Sequence, residues 1–179
     1  MIIGVTGIIG SGKSTVAALL AEQFKAQVIE ADKIGHQVLE QSRFVRFWIK
    51  LLFGSLERRE IAQQAFTSKT KLFFLNVLVH PFMRQRIKQQ LGSAGDNFIL
   101  DAALLFPMRL SKYCNHIVFV TAHKALIYKR LTAKGYTVKQ IEQRLTANQG
   151  VYKYKKRTIP LSNNGTLARL KETVSNMQF

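Results

Sequence analysis

Gly7-Ile8-Ile9-Gly10-Ser11-Gly12-Lys13-Ser14-Thr15 is the segment of this chain that says most about its architecture. It fits the pattern G-x-x-x-x-G-K-[ST], with an apolar, strand-like run before it (residues 2–6) and a helical pattern after it (residues 13–24). In such a loop the backbone N–H groups turn inward around a phosphate, and side chains at the three glycines would obstruct or strain the turn. The segment therefore predicts a P-loop that binds a nucleoside triphosphate.

Each polar residue of this loop has an expected role. Lys13 reaches the β- and γ-phosphates, the hydroxyl of Ser14 ligates Mg²⁺, and the following helix directs its positive end at the anion. The expected nucleotide contacts are Gly10, Ser11, Gly12, Lys13, Ser14 and Thr15. A chance glycine-rich turn is the weaker alternative, because the spacing and both flanks are correct.

Length and composition restrict what accompanies this loop. A chain of 179 residues with 47% hydrophobic content predicts a single domain, residues 1–179. The one cysteine excludes an internal disulfide framework, and no apolar run reaches the roughly 18 residues of a membrane span. No secretory signal fits the early residues, so we expect a cytoplasmic protein with no membrane partner.

The charge balance is strongly basic, with 27 Lys and Arg against 10 Asp and Glu and a formal net charge of +17. Such a surface attracts polyanions, which include nucleic acid, phosphorylated small molecules and anionic lipid, and composition does not choose among them. The cations are densest at Lys153-Tyr154-Lys155-Lys156-Arg157. We interpret this run as a solvated face or mobile loop in preference to a nucleic-acid patch.

Short apolar runs rich in β-branched residues alternate with longer helical patterns. The runs predict strands over residues 2–6, 27–31, 98–101 and 117–121, in a parallel sheet buried on both faces. Helical spacing covers residues 13–24, 33–53, 58–66, 69–79, 81–91, 124–134 and 166–177. The long second crossover predicts a helical substrate lobe (34–92) over the carboxyl ends of the strands, after which residues 92–97 form a loop. Thr137 caps a further helix in a basic lid at about 135–157.

A P-loop alone is compatible with an ATPase, a GTPase or a small-molecule kinase. A guanine-reading segment of the Asn-Lys-x-Asp kind is absent from the sequence, and motor or transporter ATPases are generally larger. A small kinase is therefore the leading class.

Several further segments resemble, in chain order, the motifs of the dephospho-CoA kinase family. They are Thr6 to Ser14, Val28-Ile29-Glu30-Ala31-Asp32-Lys33-Ile34, His80-Pro81, Ile99-Leu100-Asp101-Ala102-Ala103-Leu104-Leu105-Phe106 and Asn163-Asn164-Gly165. The resemblance implies a three-layer α/β P-loop NTPase fold with a parallel sheet, a helical substrate-binding lobe and a basic lid. It also implies transfer of the γ-phosphate of ATP, with Mg²⁺, to the ribose 3′-hydroxyl of dephospho-CoA.

The resemblance assigns catalytic roles to Lys13, Asp32 and Arg144. Asp32 matches the general base that takes the proton of the 3′-hydroxyl, although it could instead cap a helix that starts near Lys33. Asp101 matches a Mg²⁺-holding carboxylate, with a turn-forming aspartate as the alternative. Arg130, Lys134 and Arg144 match basic lid positions, and Arg144 is preferred because a planar guanidinium suits the transferring phosphate. Solvated surface arginines are the alternative for each.

Asp32, His36, Arg58 and His80 are the expected contacts of the acceptor. His36 could bind the acceptor ribose or occupy an ordinary surface position, and Arg58 could bind an acceptor phosphate. His80, before a proline that opens a helix, suits a structural or substrate-pocket role better than acid–base work. We expect Cys114 and Trp48 only to pack in the interior.

The chain departs from the family pattern at four places. Ile8 replaces a glycine of the loop, Pro107 replaces an acidic residue, and Pro160 puts an expected edge strand in doubt. The stretch between Glu40 and Leu56 is also short, which trims the substrate lobe. A kinase for another nucleoside or nucleotide, and a non-catalytic descendant that binds nucleic acid or another anion, therefore stay as alternatives.

Overall fold

A sheet of five parallel strands is the centre of the computed structural model, which describes residues 1–92 and 96–179. The spatial order is β2-β3-β1-β4-β5. The strands are β1 (Ile2–Gly7), β2 (Gln27–Glu30), β3 (Phe98–Asp101), β4 (His116–Thr121) and β5 (Ile159–Ser162). The four predicted strands and their parallel pairing are confirmed, and the P-loop leaves the central strand.

Pro160 lies inside β5, where it pairs with Phe119 of β4. The doubt about this strand was wrong, because β5 is at the edge of the sheet and Pro160 is exposed there. A proline that lacks its N–H is tolerated where no further strand needs that donor.

Two helices cover one face of the sheet: α1 (Lys13–Gln23) and the last helix, α8 (Leu167–Ser175). Their apolar side chains form one core with alternate residues of the strands. This cluster comprises Ile3, Val5, Val16, Ala17, Leu20, Ile99, Val118, Val120, Leu161, Leu170 and Val174. On the opposite face, the segment after β3 approaches β1 so closely that a Cβ on Gly4 would lie 2.8 Å from Cys114 Sγ.

The helices that precede α8 are α6 (Lys124–Thr132) and α7 (Val138–Asn148), followed by a 3₁₀ helix, Gln149–Arg157. A shorter 3₁₀ helix covers Leu110–Tyr113. Thr137 and Gln140 form a reciprocal capping box at the start of α7, so the predicted cap is confirmed. The predicted loop at residues 92–97 falls in part outside the described residues.

The chain forms two compact units, the first of residues 1–30 and 93–179 and the second of residues 31–92. The described part of the second unit is helical, with α2 (Ala31–Gln41), α3 (Arg43–Phe53), α4 (Arg58–Thr67) and α5 (Lys69–Leu91). Among the described residues, no helix has the length and apolar character needed to cross a bilayer.

Two helix boundaries in the second unit differ from the prediction. The single helix expected over residues 33–53 is broken at Ser42, whose hydroxyl caps α3 by accepting from Val45 N at 3.3 Å. Conversely, Pro81 lies inside the continuous helix α5. Val79, Met83 and Ile87 are buried along one face of α5 on both sides of Pro81, and this packing outweighs the proline.

Candidate active site

Three glycines of the P-loop have a positive φ: 141° at Gly7, 76° at Gly10 and 92° at Gly12. A Cβ on Gly7 would collide with the carbonyl oxygen of Val120 in β4, and one on Gly12 with the side-chain amide of Asn163. A Cβ on Gly10 would lie about 3.0 Å from Ile127 of α6. The expected strain is therefore present, and the obstruction comes from protein packed behind the loop.

The loop ends at the amino terminus of α1, which carries the donors for an anion. Gly12 is the N-cap of α1 and has no side chain with which to bind the first-turn N–H groups. Lys13 Nζ donates to Ile8 O at 3.0 Å, so its ammonium spans the loop. Ser14 and Thr15 are exposed in the first turn of α1. Amide donors, a lysine and a hydroxyl are the set that fits nucleotide phosphates with Mg²⁺.

Arg130 of α6 and Asn163 after β5 hold the carbonyl groups of the P-loop. The guanidinium of Arg130 donates to Gly10 O (3.4 Å), Ser11 O (3.2 Å) and Asn163 O (3.1 Å). The buried amide of Asn163 donates to Ser11 O at 2.8 Å. Because Arg130 and Asn163 both bind the carbonyl oxygen of Ser11, they hold the backbone of the loop in its turn.

These contacts change the interpretation of two residues. Arg130, matched to a lid cation, instead supports the P-loop from α6. The sequence-based site set omitted Asn163, which was assigned to a turn before the last helix. The signal available was its place directly after a strand of the parallel sheet, because the carboxyl ends of such strands share one edge.

Ile8, the departure within the loop, is a packing residue. Its side chain is buried in a cluster with Ile127 and Leu131 of α6 and Ile141 of α7. A glycine at this position would remove the P-loop side chain that is buried in that cluster, against which Ile9 packs only partly buried. Ile8 therefore attaches the two helices of the basic region to the loop.

Arg144 lies on α7, one turn after Ile141, and is half-buried. Its guanidinium carbon stands 4.8 Å from the centroid of the Tyr136 ring, in cation–π geometry. Lys134 is exposed. Arg130 is also half-buried and lies on α6 between two members of the cluster around Ile8. Its guanidinium binds loop carbonyls, whereas that of Arg144 lies against Tyr136.

Asp101 is the last residue of β3 and is 8% exposed. It is in register with Val5 of the P-loop strand and with Glu30 of β2. It is thus a strand residue, and the turn-forming alternative is wrong. Within residues 1–92 and 96–179 no group of three His, Cys, Asp or Glu side chains could hold a metal. A Mg²⁺ ion that keeps its waters and binds substrate phosphates needs only one or two protein ligands.

Asp32 is exposed in the first turn of α2, directly after β2. The helix begins at Ala31, which is earlier than the capping alternative required. Asp32 is therefore inside the helix and is not its N-cap.

His36 and Arg58, both matched to the acceptor site, are hydrogen-bonded to each other. Arg58 Nη2 lies 2.6 Å from His36 Nε2, and because arginine has only donors, Nε2 is the acceptor. Burial, with the Arg58 charge second, lowers the pKa of His36 below its usual value, although Asp32 and Glu40 oppose this. The imidazole is therefore neutral at pH 7, with its proton on Nδ1.

The remaining titratable candidates are His80 and Cys114, and the contact of His80 with the acceptor stays a prediction. His80 lies within α5 and precedes no helix start, so the helix-opening role of Pro81 was wrong. Burial, then the charge of Arg84, lowers the pKa of His80 to about 4, which leaves it neutral. Burial raises the pKa of Cys114 to about 12, in keeping with a packing role. Trp48, expected in the interior, is 39% exposed.

Pro107, where the family has an acidic residue, is exposed in a turn after β3. The neighbouring Phe106 stacks on Tyr154, with ring centroids 4.3 Å apart and an interplanar angle of 8°. The basic residues around Tyr154 are exposed along the 3₁₀ helix. This run is therefore an exposed helical segment, and the preference for a solvated face over a nucleic-acid patch stays a prediction.

Three comparisons with known proteins show the family of this chain. The family model of dephospho-CoA kinase matches residues 1–169. The chain is 30% identical to a dephospho-CoA kinase of Chlorobaculum tepidum, over 99% of this chain and 93% of the relative. Among solved structures, TT1252 from Thermus thermophilus is 30% identical, with a TM-score of 0.78 over 97% of this chain and 94% of that one. A dephospho-CoA kinase from Campylobacter jejuni, 20% identical over 97% and 92% of the chains, shares the fold with a TM-score of 0.64.

Proposed function

Because this chain belongs to the dephospho-CoA kinase family, its activity is the ATP-dependent phosphorylation of dephospho-CoA to coenzyme A, and we propose which of its residues perform each task. The family match carries the acceptor, and the P-loop is the observation that carries ATP binding. Its N-cap glycine leaves the first-turn amides of α1 without a side-chain cap, and Lys13 spans the loop beside them. These donors bind the phosphates of ATP. The location of the protein in the cytoplasm stays a prediction.

Ser14 and Asp101 would hold Mg²⁺, Ser14 through its hydroxyl and Asp101 through its carboxylate or a bound water. When bound, the ion neutralises charge on the β- and γ-phosphate oxygens. Support for Asp101 comes from its place at the end of the strand that pairs with the P-loop strand.

Asp32 accepts the proton of the ribose 3′-hydroxyl as that oxygen attacks the γ-phosphorus. The role is supported by an exposed carboxylate at the carboxyl end of β2, whose last residue is in register with Asp101. In open parallel α/β sheets, ligands bind at this end of the strands. A hydrogen-bond acceptor there suits general-base work.

Arg144 stabilises the charge on the equatorial oxygens of the transferring phosphoryl group, together with Lys13. The cation–π contact with Tyr136 holds the guanidinium against α7's neighbouring segment, and Ile141 attaches the same helix to Ile8 of the loop. A planar cation held in this way is suited to a phosphoryl group whose charge is spread over three oxygens.

The His36–Arg58 pair binds the acceptor in the second unit. His36 Nδ1 carries a proton and can donate to a ribose oxygen, while the other guanidinium nitrogens of Arg58 can bind an acceptor phosphate. His80 supports the same unit from within α5 and takes no part in proton transfer.

The direct test incubates the purified protein with ATP, Mg²⁺ and dephospho-CoA and follows coenzyme A by mass spectrometry. Replacement of Arg144 by Ala should lower kcat by about 10²-fold or more. Lys134→Ala, at an exposed position matched to the same basic lid, should leave kcat within about twofold. ATP binding without product would favour the non-catalytic alternative. Transfer to a different nucleoside, but not to dephospho-CoA, would favour the other kinase.

A further inference from the structure

Helix α3 exposes a row of large apolar side chains. Phe44, Phe47 and Leu51 are 57%, 65% and 66% exposed, and Trp48 and Leu52 are 39% and 37% exposed. At 3.6 residues per turn, these five positions occupy one sector of about 140° around the helix. The side chains that pack into the unit, Val45, Ile49 and Phe53, occupy the adjoining sector. Helix α3 therefore has a second apolar face that the described part of the chain leaves open to solvent.

The open face is continuous. Trp48 makes edge contacts with Phe47 (5.6 Å between centroids) and Phe44 (6.3 Å). Phe44 also lies 6.1 Å from Phe82 of the neighbouring helix α5. We call the set Phe44, Phe47, Trp48, Leu51, Leu52 and Phe82 the aromatic face.

Three cations border the aromatic face along α3. Arg43, Arg46 and Lys50 are all exposed and occupy the remaining sector of the helix. Helix α3 has no acidic residue. A wide apolar sector beside a purely cationic one is the pattern of a helix that lies in a membrane interface.

We propose that α3 docks on the surface of an anionic phospholipid bilayer, with the aromatic face at the boundary between headgroups and acyl chains. Arg43, Arg46 and Lys50 would then lie at the level of the lipid phosphates, where each cation adds to binding. The proposal revises the expectation of no membrane partner, which considered only a spanning segment.

Two other occupants fit the face less well. A two-fold dimer through α3 would cover the apolar side chains but would offer the α3 cations no acidic partner from the other α3. Nucleic acid would match the charge, but Leu51 and Leu52 offer bases no ring on which to stack. Aromatic and aliphatic side chains together are suited to lipid.

The test is flotation of the full chain with vesicles of phosphatidylglycerol and phosphatidylcholine in equal parts, beside vesicles of phosphatidylcholine alone. We expect binding to the anionic vesicles that weakens as salt is raised. The double variant Phe47→Ser/Leu51→Ser should bind anionic vesicles about 100-fold more weakly, because each large apolar side chain that is removed costs about tenfold in affinity. A matched control, Phe73→Ser/Val77→Ser, alters two exposed apolar positions of α5 (62% and 54%) and should bind as the parent does.

Coenzyme A formation by each variant, without vesicles, serves as the folding control and should stay within twofold of the parent. If the serine variant does not fold, Arg43→Gln/Arg46→Gln/Lys50→Gln replaces it, with an expected loss of about fivefold per cation. The proposal is overturned if anionic vesicles do not bind the parent, or if the α3 variants bind them as the parent does. It is also overturned if the parent instead self-associates or binds an oligonucleotide through the same face and ignores vesicles.

Discussion

Asn163 and Arg130 donate to the same acceptor, the carbonyl oxygen of Ser11, at 2.8 and 3.2 Å. Either donor alone satisfies this buried group, so each single replacement by Ala leaves Ser11 O with one partner. We expect Asn163→Ala to lower the free energy of unfolding by about 1–2 kcal/mol, for one hydrogen bond and a small cavity. Arg130→Ala should cost about the same or somewhat more, because Gly10 O and Asn163 O also lose this donor.

The double variant should cost more than the sum of the two. With both donors removed, Ser11 O becomes a buried carbonyl without a partner, and that penalty is about 1–3 kcal/mol. The non-additive part is the signature of a shared acceptor. Because the loop must hold its turn to bind phosphate, ATP affinity should fall in parallel, about tenfold for a coupling near 1.4 kcal/mol.

Urea unfolding and calorimetric titration with ATP measure the two quantities independently of turnover. Asn164→Ala is the matched control, because the Asn164 side chain accepts from His123 N at 2.6 Å and donates to Ser162 Oγ at 2.7 Å, and neither partner belongs to the loop. It should lower stability and leave ATP affinity unchanged. Additivity of the two loop variants within about 0.5 kcal/mol would refute the shared support. If Arg130→Ala greatly lowers kcat and leaves ATP affinity unchanged, Arg130 instead contacts the transferring phosphoryl group, as the resemblance implied.

Three further outcomes are expected. Asp32→Asn should leave ATP affinity nearly unchanged and lower kcat by about 10²–10⁴-fold in the coenzyme A assay, and equal activity would remove Asp32 as the base. Ile8→Ala should lower the free energy of unfolding by about 2–4 kcal/mol in urea, since it empties the cluster with Ile127 and Ile141; a loss below 0.5 kcal/mol would contradict that attachment. The pKa of His80 is lowered to about 4 in the folded chain, so between pH 6.5 and 4 the unfolded chain binds more protons than the folded one. The free energy of unfolding therefore falls on acidification through that window, by about 1–2 kcal/mol after allowance for solvent screening. His80→Gln should flatten this part of the urea-derived stability profile, and an unchanged slope would assign it to other groups.

The local signals in the sequence were sufficient for the sheet and for the loop. The strands β1 and β4 are short apolar runs rich in β-branched residues, and β3 is a short apolar run whose length suits a strand better than a helix. The cap at Thr137 likewise depends on two side chains three residues apart, which a sequence displays directly.

The misjudged features depend on partners distant in sequence. Pro81 continues a helix because of what packs against α5, and the loop-supporting role of Arg130 exists only because the P-loop carbonyls lie beside α6. Trp48 follows a helical apolar pattern that indicates burial, yet the pattern does not state which of two apolar sectors the fold covers. Such facts arise from tertiary structure and no local pattern contains them.

The support of the P-loop also bears on the order of folding during synthesis. The donors that hold Gly10 O and Ser11 O follow these residues by 120 and 152 positions along the chain. The loop is synthesised well before Asn163, so its support is incomplete until the end of β5 has emerged from the ribosome. Contacts of such long range form late, so ATP cannot act as an early template for the nascent loop. Nucleotide binding stabilises only a chain that already includes β5 and Asn163.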